Sequence, residues 1–452
     1  MRDVVFFGLF VCMIPAAVSF GTSGVMLWIW VALMTPINFM YGFSKTLPYN
    51  KVAAIATILG IVVSKTNKKP YIDTHVLLLL LFLLQCTISY VFALVDSPRG
   101  DDLYDRVSKE IVLALVMLPT VRDRLRIWAV LLAVCLGMGL HGTSEAIKYL
   151  LSTGDRLVEP PGFFGDNNHF GLALLMALPA LGYVGTYALM RIVRYVALAG
   201  LGLTLIAVIG TNSRGALAGL VVIGLIVLLQ SKRKAAALGL VGVVVAGLLY
   251  FTPAVWRQRM DTIGNAEHDN SFLNRVNSWK MNTLVALDRP LVGGGFSAME
   301  DSRVYDAYRP HFSSLDFIST GEPVGPIAAH SIYFQTLGDT GFIGLALFVG
   351  IILTAFNNLR TIKRVAHGRA DLIWAVDLAN ALRLTMVGYC VSGAALSMAY
   401  FELFYVFTTL ISVLRKHVEA EIKVPVALQV QVRLARNRSL PQGIPARLAN
   451  GD

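Results

Sequence analysis

The chain has 452 residues, of which 56% are hydrophobic and only 15% are charged. This composition leaves too little polar surface for a soluble globular protein of this length, so a soluble fold is excluded. The formal net charge of +11 comes from short Lys/Arg clusters and the C-terminal tail, which indicates membrane topology and anionic lipid rather than nucleic-acid binding.

Three apolar runs occupy the first 64 residues, at 4–20, 25–41 and 52–64. The first run resembles a signal peptide, but a second apolar run follows almost at once, so we expect a membrane helix rather than a cleaved leader. We also expect the N-terminus to lie in the cytoplasm, which allows only an even number of crossings here. Because the third run is short, it is the candidate for a re-entrant segment.

The predicted topology depends on basic clusters in five short loops, which the positive-inside rule places in the cytoplasm. The clusters are Lys65, Lys68 and Lys69; Arg122, Arg124 and Arg126; Arg191 and Arg194; Lys232, Arg233 and Lys234; and Lys363, Arg364 and Arg369. Apolar segments of helical length alternate consistently between these loops. The predicted helices cover 75–94, 109–121, 127–149, 170–189, 193–211, 215–231, 235–251 and 331–358.

Three segments then face the opposite side, which is the periplasm in a Gram-negative envelope: 95–108, 150–169 and 252–330. Two further crossings between 384 and 414 return the chain to the inside. The sequence therefore predicts an all-α polytopic membrane protein with about 12 helices and both termini in the cytoplasm. Its predicted regions are a transmembrane part (1–251), a periplasmic loop with amphipathic helices (252–330), a second transmembrane part (331–414) and a basic, poorly ordered cytoplasmic tail (415–452).

Metal and disulfide chemistry find no support in the sequence. All four cysteines lie within apolar runs and read as small packing residues, with no disulfide framework or zinc spacing. No Asp/Glu cluster demands a metal, and we expect no cofactor.

The outer segment 252–330 is the long loop of the chain, and a loop of this length in a compact membrane protein usually has a function. Within it, "SFLNRVNSWKMNTLVALDRP" predicts an amphipathic helix that carries Arg275 and Trp279 on the same side. The following "RPLVGGGFSAME" ends that helix with three glycines.

Three side chains that are far apart in the sequence reach the same side of the membrane in this topology. Arg214 lies in "IGTNSRGALAGL", where one helix ends and the next begins at the outer boundary; a snorkelling interfacial anchor is the competing interpretation. Arg275 lies in the loop helix. His330 is either a structural histidine at a helix start or an acid/base group that titrates near neutral pH. This convergence is the arrangement that an extracytoplasmic active site requires.

Two further groups of polar residues need an explanation. Asp339 follows His330 by about 13 Å along a helix, so we expect it to make a helix-packing hydrogen bond or line a polar region rather than to contact His330. In "PPGFFGDNNHFGLALLM", Asp166, Asn167 and Asn168 are natural N-caps for the next helix. The asparagines are also candidates for holding a sugar or a phosphate.

Taken together, "SRGAL" at a helix start, "NRVNSWKMN" and "DRPLVGGGF" in the outer loop, and "HSIYFQTLGDTGFIG" resemble the O-antigen ligase and polymerase superfamily. The resemblance is strongest to O-antigen ligases and to the O-glycosylation ligases found beside exosortase systems, whose asparagine motif resembles "PPGFFGDNNHFGLAL". It is clearest between residues 160 and 350.

The resemblance implies a GT-C-like glycosyltransferase at the periplasmic face of the bacterial inner membrane. Such a ligase moves a glycan from undecaprenyl pyrophosphate to a sugar hydroxyl of the lipid A core, with inversion and without a metal. The family's essential arginines match Arg214 and Arg275, and its essential loop histidine matches His330. Asp339 stands where the family often has glutamate, so the carboxylate is kept.

The residue types suit this reaction. A pyrophosphate leaving group gathers negative charge on phosphate oxygens, which guanidinium groups bind through bidentate, charge-assisted hydrogen bonds. A neutral His330 can take the proton from the acceptor hydroxyl. Trp279, Asn167 and Asn168 remain candidates for substrate binding.

Other functions stay open at this level. An O-antigen polymerase and a protein O-glycosylation ligase use the same donor and differ only in acceptor. A transporter or flippase is less favoured, because the sequence has no obvious internal repeat and its distinctive polar residues collect on one face rather than at the midplane.

Overall fold

The computed structural model describes residues 2–63, 71–152, 166–231, 270–315, 320–321 and 325–423, together with the single residues 234, 239 and 242. Throughout these ranges the regular elements are helices, with no strand. The α-helices are, in chain order, α1 (Arg2–Ser19), α2 (Gly21–Met34), α3 (Tyr49–Val63), α4 (Thr74–Val91), α5 (Pro98–Thr120), α6 (Arg124–Leu151), α7 (Asn167–Tyr187), α8 (Arg191–Gly210), α9 (Arg214–Gln230), α10 (Asn270–Asp288), α11 (Ser302–Tyr308), α12 (Ile332–Val365), α13 (Ile373–Gly393) and α14 (Glu402–Lys423).

Six of the described helices are long and apolar enough to cross a membrane, namely α1, α4, α6, α7, α8 and α12. Three shorter helices, α2, α3 and α9, are also apolar. Helix α14 packs against α12, α5 and α13, and its residues 402–414 are all buried. Protein rather than lipid surrounds this part of α14. Its polar side chains Thr408, Thr409 and Ser412 are therefore buried within the bundle and do not face hydrocarbon. The chain is a polytopic helical membrane protein.

The basic clusters that the structure describes, at 122–126, 191–194 and 363–369, lie at one end of the helix bundle, which we call the basic end. Arg126 donates to the Thr120 carbonyl over 3.0 Å, and the Arg124 guanidinium lies 4.9 Å from the centroid of the Trp374 ring. The Lys416 ammonium lies 5.4 Å from the Tyr71 ring centroid. These contacts join the start of α6 to α13 and the start of α4 to α14, as the alternating topology predicts. We call the opposite end of the bundle the outer end.

The first three helices run in an unexpected direction. The Thr22 hydroxyl donates to the Thr120 carbonyl at the basic end over 3.2 Å. The Met34 carbonyl accepts a hydrogen bond from His141 over 3.1 Å, and the His141 ring contacts Phe170 at the outer start of α7. Helix α2 therefore runs from the basic end to the outer end, and α1 starts at the outer end. These three helices therefore pass between the two ends an odd number of times, rather than the expected even number, and the first described residue lies at the end opposite the basic clusters.

The third apolar run is a full antiparallel partner of α2 rather than a re-entrant segment. Gly24 lies against Thr57 so closely that a methyl group on the glycine would be 2.8 Å from Thr57 Cα. At the other end of α3, the Tyr49 ring lies 4.8 Å from that of Phe10 in an edge-to-face pair. Helix α3 is only 15 residues long, but it packs on α1 and α2 and extends from the outer end to the basic end.

Most predicted helices lie within a few residues of the observed ones, with three differences. Helix α13 begins at Ile373, eleven residues before the segment 384–414 in which the last two crossings were expected. Helix α5 begins at Pro98, so most of the segment 95–108 that was expected to be loop is helical. Helix α14 continues to Lys423, and Arg415 donates to Asn358 over 2.8 Å, so the start of the predicted tail is ordered helix. The predicted helix 235–251, apart from residues 239 and 242, and the tail beyond residue 423 lie outside the described residues.

Part of the long outer loop folds into a small domain of its own. Helix α10 confirms the predicted amphipathic helix, and Met281 and Val285 on its buried face join a hydrophobic cluster separate from the main core. The other buried members are Leu284, Ala298, Met299, Val304, Tyr305 and Phe312. This cluster gives the loop a hydrophobic interior of its own.

Helix α12 is broken near its outer end, and the glycine turn 293–295 packs into the break. Gly341 has φ 70° and ψ −171°, which no helical residue adopts. The backbone N–H of Gly294 donates to the Gly338 carbonyl over 2.8 Å. Glycine allows both the positive φ and the close approach of the two backbones. The outer loop is thereby hydrogen-bonded directly to the helix that follows His330.

Candidate functional site

The start of α7 is capped by Asp166 and not by the asparagines. One carboxylate oxygen of Asp166 accepts the backbone N–H groups of Asn168 over 2.6 Å and of His169 over 2.9 Å. Asn167 and Asn168 occupy the first turn of α7 with their side chains partly exposed. The capping role expected for this motif is confirmed for Asp166, and substrate binding by the two asparagines stays a prediction.

Arg214 is the first residue of α9, after a sharp turn in which Asn212 has φ 51°. Ser213 caps the helix by accepting the Ala216 N–H over 3.2 Å. The starts of α9 and α7 are in contact, since a methyl group on Gly171 would lie 2.9 Å from the Ala216 Cβ. Arg214 is half-buried and lies at the outer end, beside the start of α7.

Arg275 and Trp279 lie one turn apart on α10 and are both half-buried. The Trp279 ring stacks on Phe334 with centroids 5.1 Å apart and an interplanar angle of 8°. Its indole nitrogen is buried without a hydrogen-bond partner. The ring therefore packs α10 onto the start of α12, and substrate binding by Trp279 stays a prediction.

His330 stands two residues before α12 in a constrained backbone conformation, with φ 45°. Its backbone N–H donates to the Ser397 hydroxyl over 2.7 Å, and Ser331 rather than His330 occupies the N-cap position. Burial lowers the pKa of His330 below its ordinary value, and the neighbouring Arg275 and His169 lower it further, against the opposing carboxylate of Asp166. A lowered pKa keeps the imidazole neutral at physiological pH, which is the form that accepts a proton.

The structure brings the three predicted site residues to one end of the bundle. His330 lies within electrostatic reach of Arg275. Residues 392–397, at the end of α13 and just after it, link the Arg214 region to His330. The Ser392 hydroxyl donates to the Gly215 carbonyl over 2.8 Å, and the Ser397 hydroxyl accepts the backbone N–H of His330. Four separate parts of the chain, the starts of α7, α9 and α12 and one turn of α10, thus place charged side chains at the outer end.

Two residues of this cluster were missed in the sequence. His169 lies within electrostatic reach of both His330 and Glu300. Glu300 is paired with Arg99, with Nε and Oε2 3.0 Å apart, and its side chain is 22% exposed. Burial raises the pKa of Glu300, while Arg99, the Ser297 hydroxyl and His169 oppose the shift. His169 belongs to the motif "GDNNHFG" and Glu300 to "RPLVGGGFSAME", both of which the sequence analysis considered. The sequence alone gave no indication that these two motifs lie close together in the fold.

Asp339 is not in contact with His330, as predicted, and has a packing role. One carboxylate oxygen accepts the backbone N–H of Ser297 and the other accepts the Tyr400 hydroxyl, each over 3.0 Å. The side chain is 4% exposed. Asp339 thereby ties the outer loop and the segment before α14 to the break in α12.

Fold and site together define a polytopic helical membrane protein with a cluster of arginine, histidine and carboxylate side chains at one end of its bundle. Residues 199–349, which include Arg214, Arg275 and His330, match the family described as O-Antigen ligase. Residues 1–159 match a family of unknown function. No curated protein matches the chain. This match supports an O-antigen ligase family for the chain and a glycosyltransferase-like, ligase- or polymerase-type function in O-antigen processing.

Proposed function

We propose that the protein transfers O-antigen polysaccharide from undecaprenyl pyrophosphate to a sugar hydroxyl of the lipid A core. The observation that carries this proposal is the grouping of Arg275, Arg214 and His330 at the end of the bundle opposite the basic clusters. By the positive-inside rule the basic end is cytoplasmic, so the reaction takes place at the periplasmic face of the bacterial inner membrane.

Arg214 and Arg275 bind the pyrophosphate of the donor in this proposal. As the glycosidic bond breaks, negative charge builds up on the leaving phosphate oxygens, and two guanidinium groups stabilise it through bidentate hydrogen bonds. Both arginines are half-buried, so their charges are less screened than those of surface arginines. A good leaving group held in this way needs no divalent cation, and transfer is metal-independent.

His330 acts as the general base. It takes the proton of the acceptor hydroxyl while that oxygen attacks the anomeric carbon from the face opposite the pyrophosphate, which inverts the configuration. Burial and the charge of Arg275 favour the neutral imidazole. Asn167, Asn168 and Trp279 border the site and contact the glycan in this scheme.

The topology of the proposal is that of a GT-C-like enzyme with its N-terminus in the periplasm. Nine described helices, α1 to α9, run back and forth from the outer end to the basic end, and α12, α13 and α14 add three more crossings. Helix α9 ends at the basic end and α10 lies at the outer end, and the segment that joins them lies almost entirely outside the described residues. Residues 252–330 are the periplasmic loop, and the tail from residue 415 lies in the cytoplasm.

A polymerase or a protein O-oligosaccharyltransferase uses the same donor and the same three residues, and differs in the acceptor. The test is therefore a choice of acceptors. Purified protein in lipid nanodiscs receives an undecaprenyl-pyrophosphate-linked glycan with lipid A core, with a pilin-like protein, or with no added acceptor. Glycan attached to lipid A core supports the ligase; longer lipid-linked glycan without an acceptor supports the polymerase, and glycosylated pilin the protein transferase. In proteoliposomes, movement of the lipid-linked donor from one leaflet to the other, with no transfer to any acceptor, supports a flippase and contradicts the proposal.

A further inference from the structure

The segment that leads into α12 is hydrogen-bonded to α10 just before it reaches His330. The Ser278 hydroxyl on α10 donates to the Ala328 carbonyl over 2.7 Å. The oxygen of the same hydroxyl accepts the side-chain amide of Asn282 over 3.4 Å, and both side chains are buried, with Ser278 2% exposed and Asn282 4% exposed. A buried hydrogen bond of this kind is not weakened by water, so the backbone two residues before His330 is fixed to α10.

A second serine binds His330 itself, from the segment between α13 and α14. The backbone N–H of His330 donates to the Ser397 hydroxyl over 2.7 Å. Two residues further on, the backbone N–H of Ala399 donates to the side chain of Gln335 in the first turn of α12 over 3.1 Å. The Ala399 carbonyl accepts the Tyr405 hydroxyl of α14 over 3.3 Å. The serine that binds His330 therefore belongs to a segment that is hydrogen-bonded to both α12 and α14.

The backbone of His330 needs support of this kind. Its φ of 45° lies in the left-handed region, which residues with a side chain rarely adopt and keep only where the surrounding structure holds them there. Ser331, the next residue, is extended with φ −164°. A change of φ at His330 to a negative value would turn its Cβ, and the imidazole with it, to a different direction. The two hydrogen bonds at 328 and 330 thus act on the backbone that determines where the imidazole lies.

We propose that Ser397 and Ser278 position His330 for the reaction by holding its backbone between the α13–α14 connection and α10. This inference rests on the proposed function, in which His330 is the general base. A base works only within hydrogen-bond reach of the hydroxyl that it deprotonates, and a displacement of about 1 Å lowers the rate by about 10²-fold. Both serines act through His330 and are positioning residues.

The experiment measures kcat and KM for glycan transfer from undecaprenyl pyrophosphate, in nanodiscs, to the acceptor that the wild type uses. Ser397→Ala and Ser278→Ala should each lower kcat by about tenfold to a hundredfold and leave KM within about twofold of the wild type. Ser397→Thr keeps the hydroxyl and should keep most of the kcat.

Ser314→Ala is the matched control. The Ser314 hydroxyl also donates to a backbone carbonyl of the outer loop, that of His311, over 2.6 Å. Both Ser314 and His311 are exposed. This variant should have the kinetics of the wild type.

A double-variant cycle separates positioning of His330 from a general loss of structure. Added to His330→Ala, the Ser397→Ala change should alter the residual rate by less than about twofold, because the group that Ser397 positions is already absent. A purely structural defect would lower the residual rate by the same factor as in the wild-type background.

Wild-type kcat in Ser397→Ala and Ser278→Ala overturns the inference. An equal loss in the His330→Ala background, or a loss in Ser397→Thr as large as that in Ser397→Ala, overturns it too. If Ser278→Ala does not stay monodisperse, the two Ser397 variants decide. If the residual rate of His330→Ala is too low to measure, the comparison of Ser397→Thr with Ser397→Ala decides, and a loss that appears in KM instead of kcat contradicts positioning.

Failure of the inference and failure of the proposed function give different results. Serine variants with full rate beside an inactive His330→Ala refute the positioning role alone. A wild type that transfers glycan to no acceptor, or a His330→Ala variant with the wild-type rate, refutes the proposed function or its general base, and the positioning role with it.

Discussion

Replacing Asp339 should destabilise the outer part of the molecule without removing a catalytic group. Its two carboxylate oxygens accept the Ser297 N–H and the Tyr400 hydroxyl at 3.0 Å each, in a side chain that is 4% exposed. Asp339→Leu leaves both buried donors without an acceptor. At about 1–3 kcal/mol for each unsatisfied donor, the free energy of unfolding should fall by about 2–6 kcal/mol.

Asp339→Asn is the matched variant. Its amide oxygen can still accept the Ser297 N–H, and its amide N–H can donate to the Tyr400 oxygen, so both contacts survive in neutral form. The loss should then be about 1 kcal/mol. Unfolding in mixed micelles with increasing SDS, followed by loss of helical signal, compares the variants with the wild type. An Asp339→Leu variant as stable as the wild type would refute the packing role. An Asp339→Asn variant with wild-type stability and a greatly reduced rate would mean that Asp339 takes part in the chemistry.

Three more predictions follow from the same geometry. The base must be neutral, and the pKa of His330 is lowered from its ordinary 6.5. The transfer rate should therefore be independent of pH near neutrality and fall only as the pH drops through that lowered pKa. In Arg275→Gln the pKa of His330 rises, so a pH–rate profile of this variant should show the fall at higher pH. Gly341→Ala should lower the free energy of unfolding by at least about 1 kcal/mol, because φ at this position is 70° and the new methyl group would lie 2.6 Å from the Pro290 carbonyl oxygen. A variant with wild-type stability would contradict the break in α12 at this residue. Chelation of divalent cations should leave the transfer rate unchanged in a radiolabelled-glycan assay, and a rate that needs added Mg²⁺ would count against pyrophosphate binding by Arg214 and Arg275 alone.

Membrane helices with basic flanks could be predicted from the sequence to within a few residues, as α6, α8 and α9 illustrate. Their ends are marked by a change from apolar to charged residues, and lipid exposure makes that change sharp. Helix α5 was only half predicted because its outer half, "PRGDDLYDRVSKE", is charged and faces the loop domain as well as the bundle. Helix α14 gave a weak signal because its surroundings are protein.

The direction of the first three helices could not be predicted, because few Lys or Arg residues flank them and the positive-inside rule depends on such residues. Arg2 and Asp3 precede the first apolar run, and the connection between α2 and α3 carries a single cation, Lys45. The direction depends instead on contacts with α5 and α6, such as that between Thr22 and Thr120. These contacts join residues about a hundred positions apart, which a hydropathy pattern does not contain.

The site was half predictable for a similar reason. Arg214, Arg275 and His330 lie in segments that the predicted topology places on one side of the membrane, so their grouping could be predicted from that side alone. His169 and Glu300 needed the packing of α7 against α9 and of the glycine turn against α12. That packing determines which of many polar residues on the outer side lie next to His330.

The most direct test of the central claim is the rate of glycan transfer from undecaprenyl pyrophosphate to lipid A core by His330→Ala, compared with the wild type and with His311→Ala. Loss of the general base should lower the rate by about 10²–10⁴-fold, while the protein remains in the membrane and His311→Ala keeps the wild-type rate. Transfer by His330→Ala at the wild-type rate would contradict the assignment of His330 as the base and, with it, the mechanism proposed for this site.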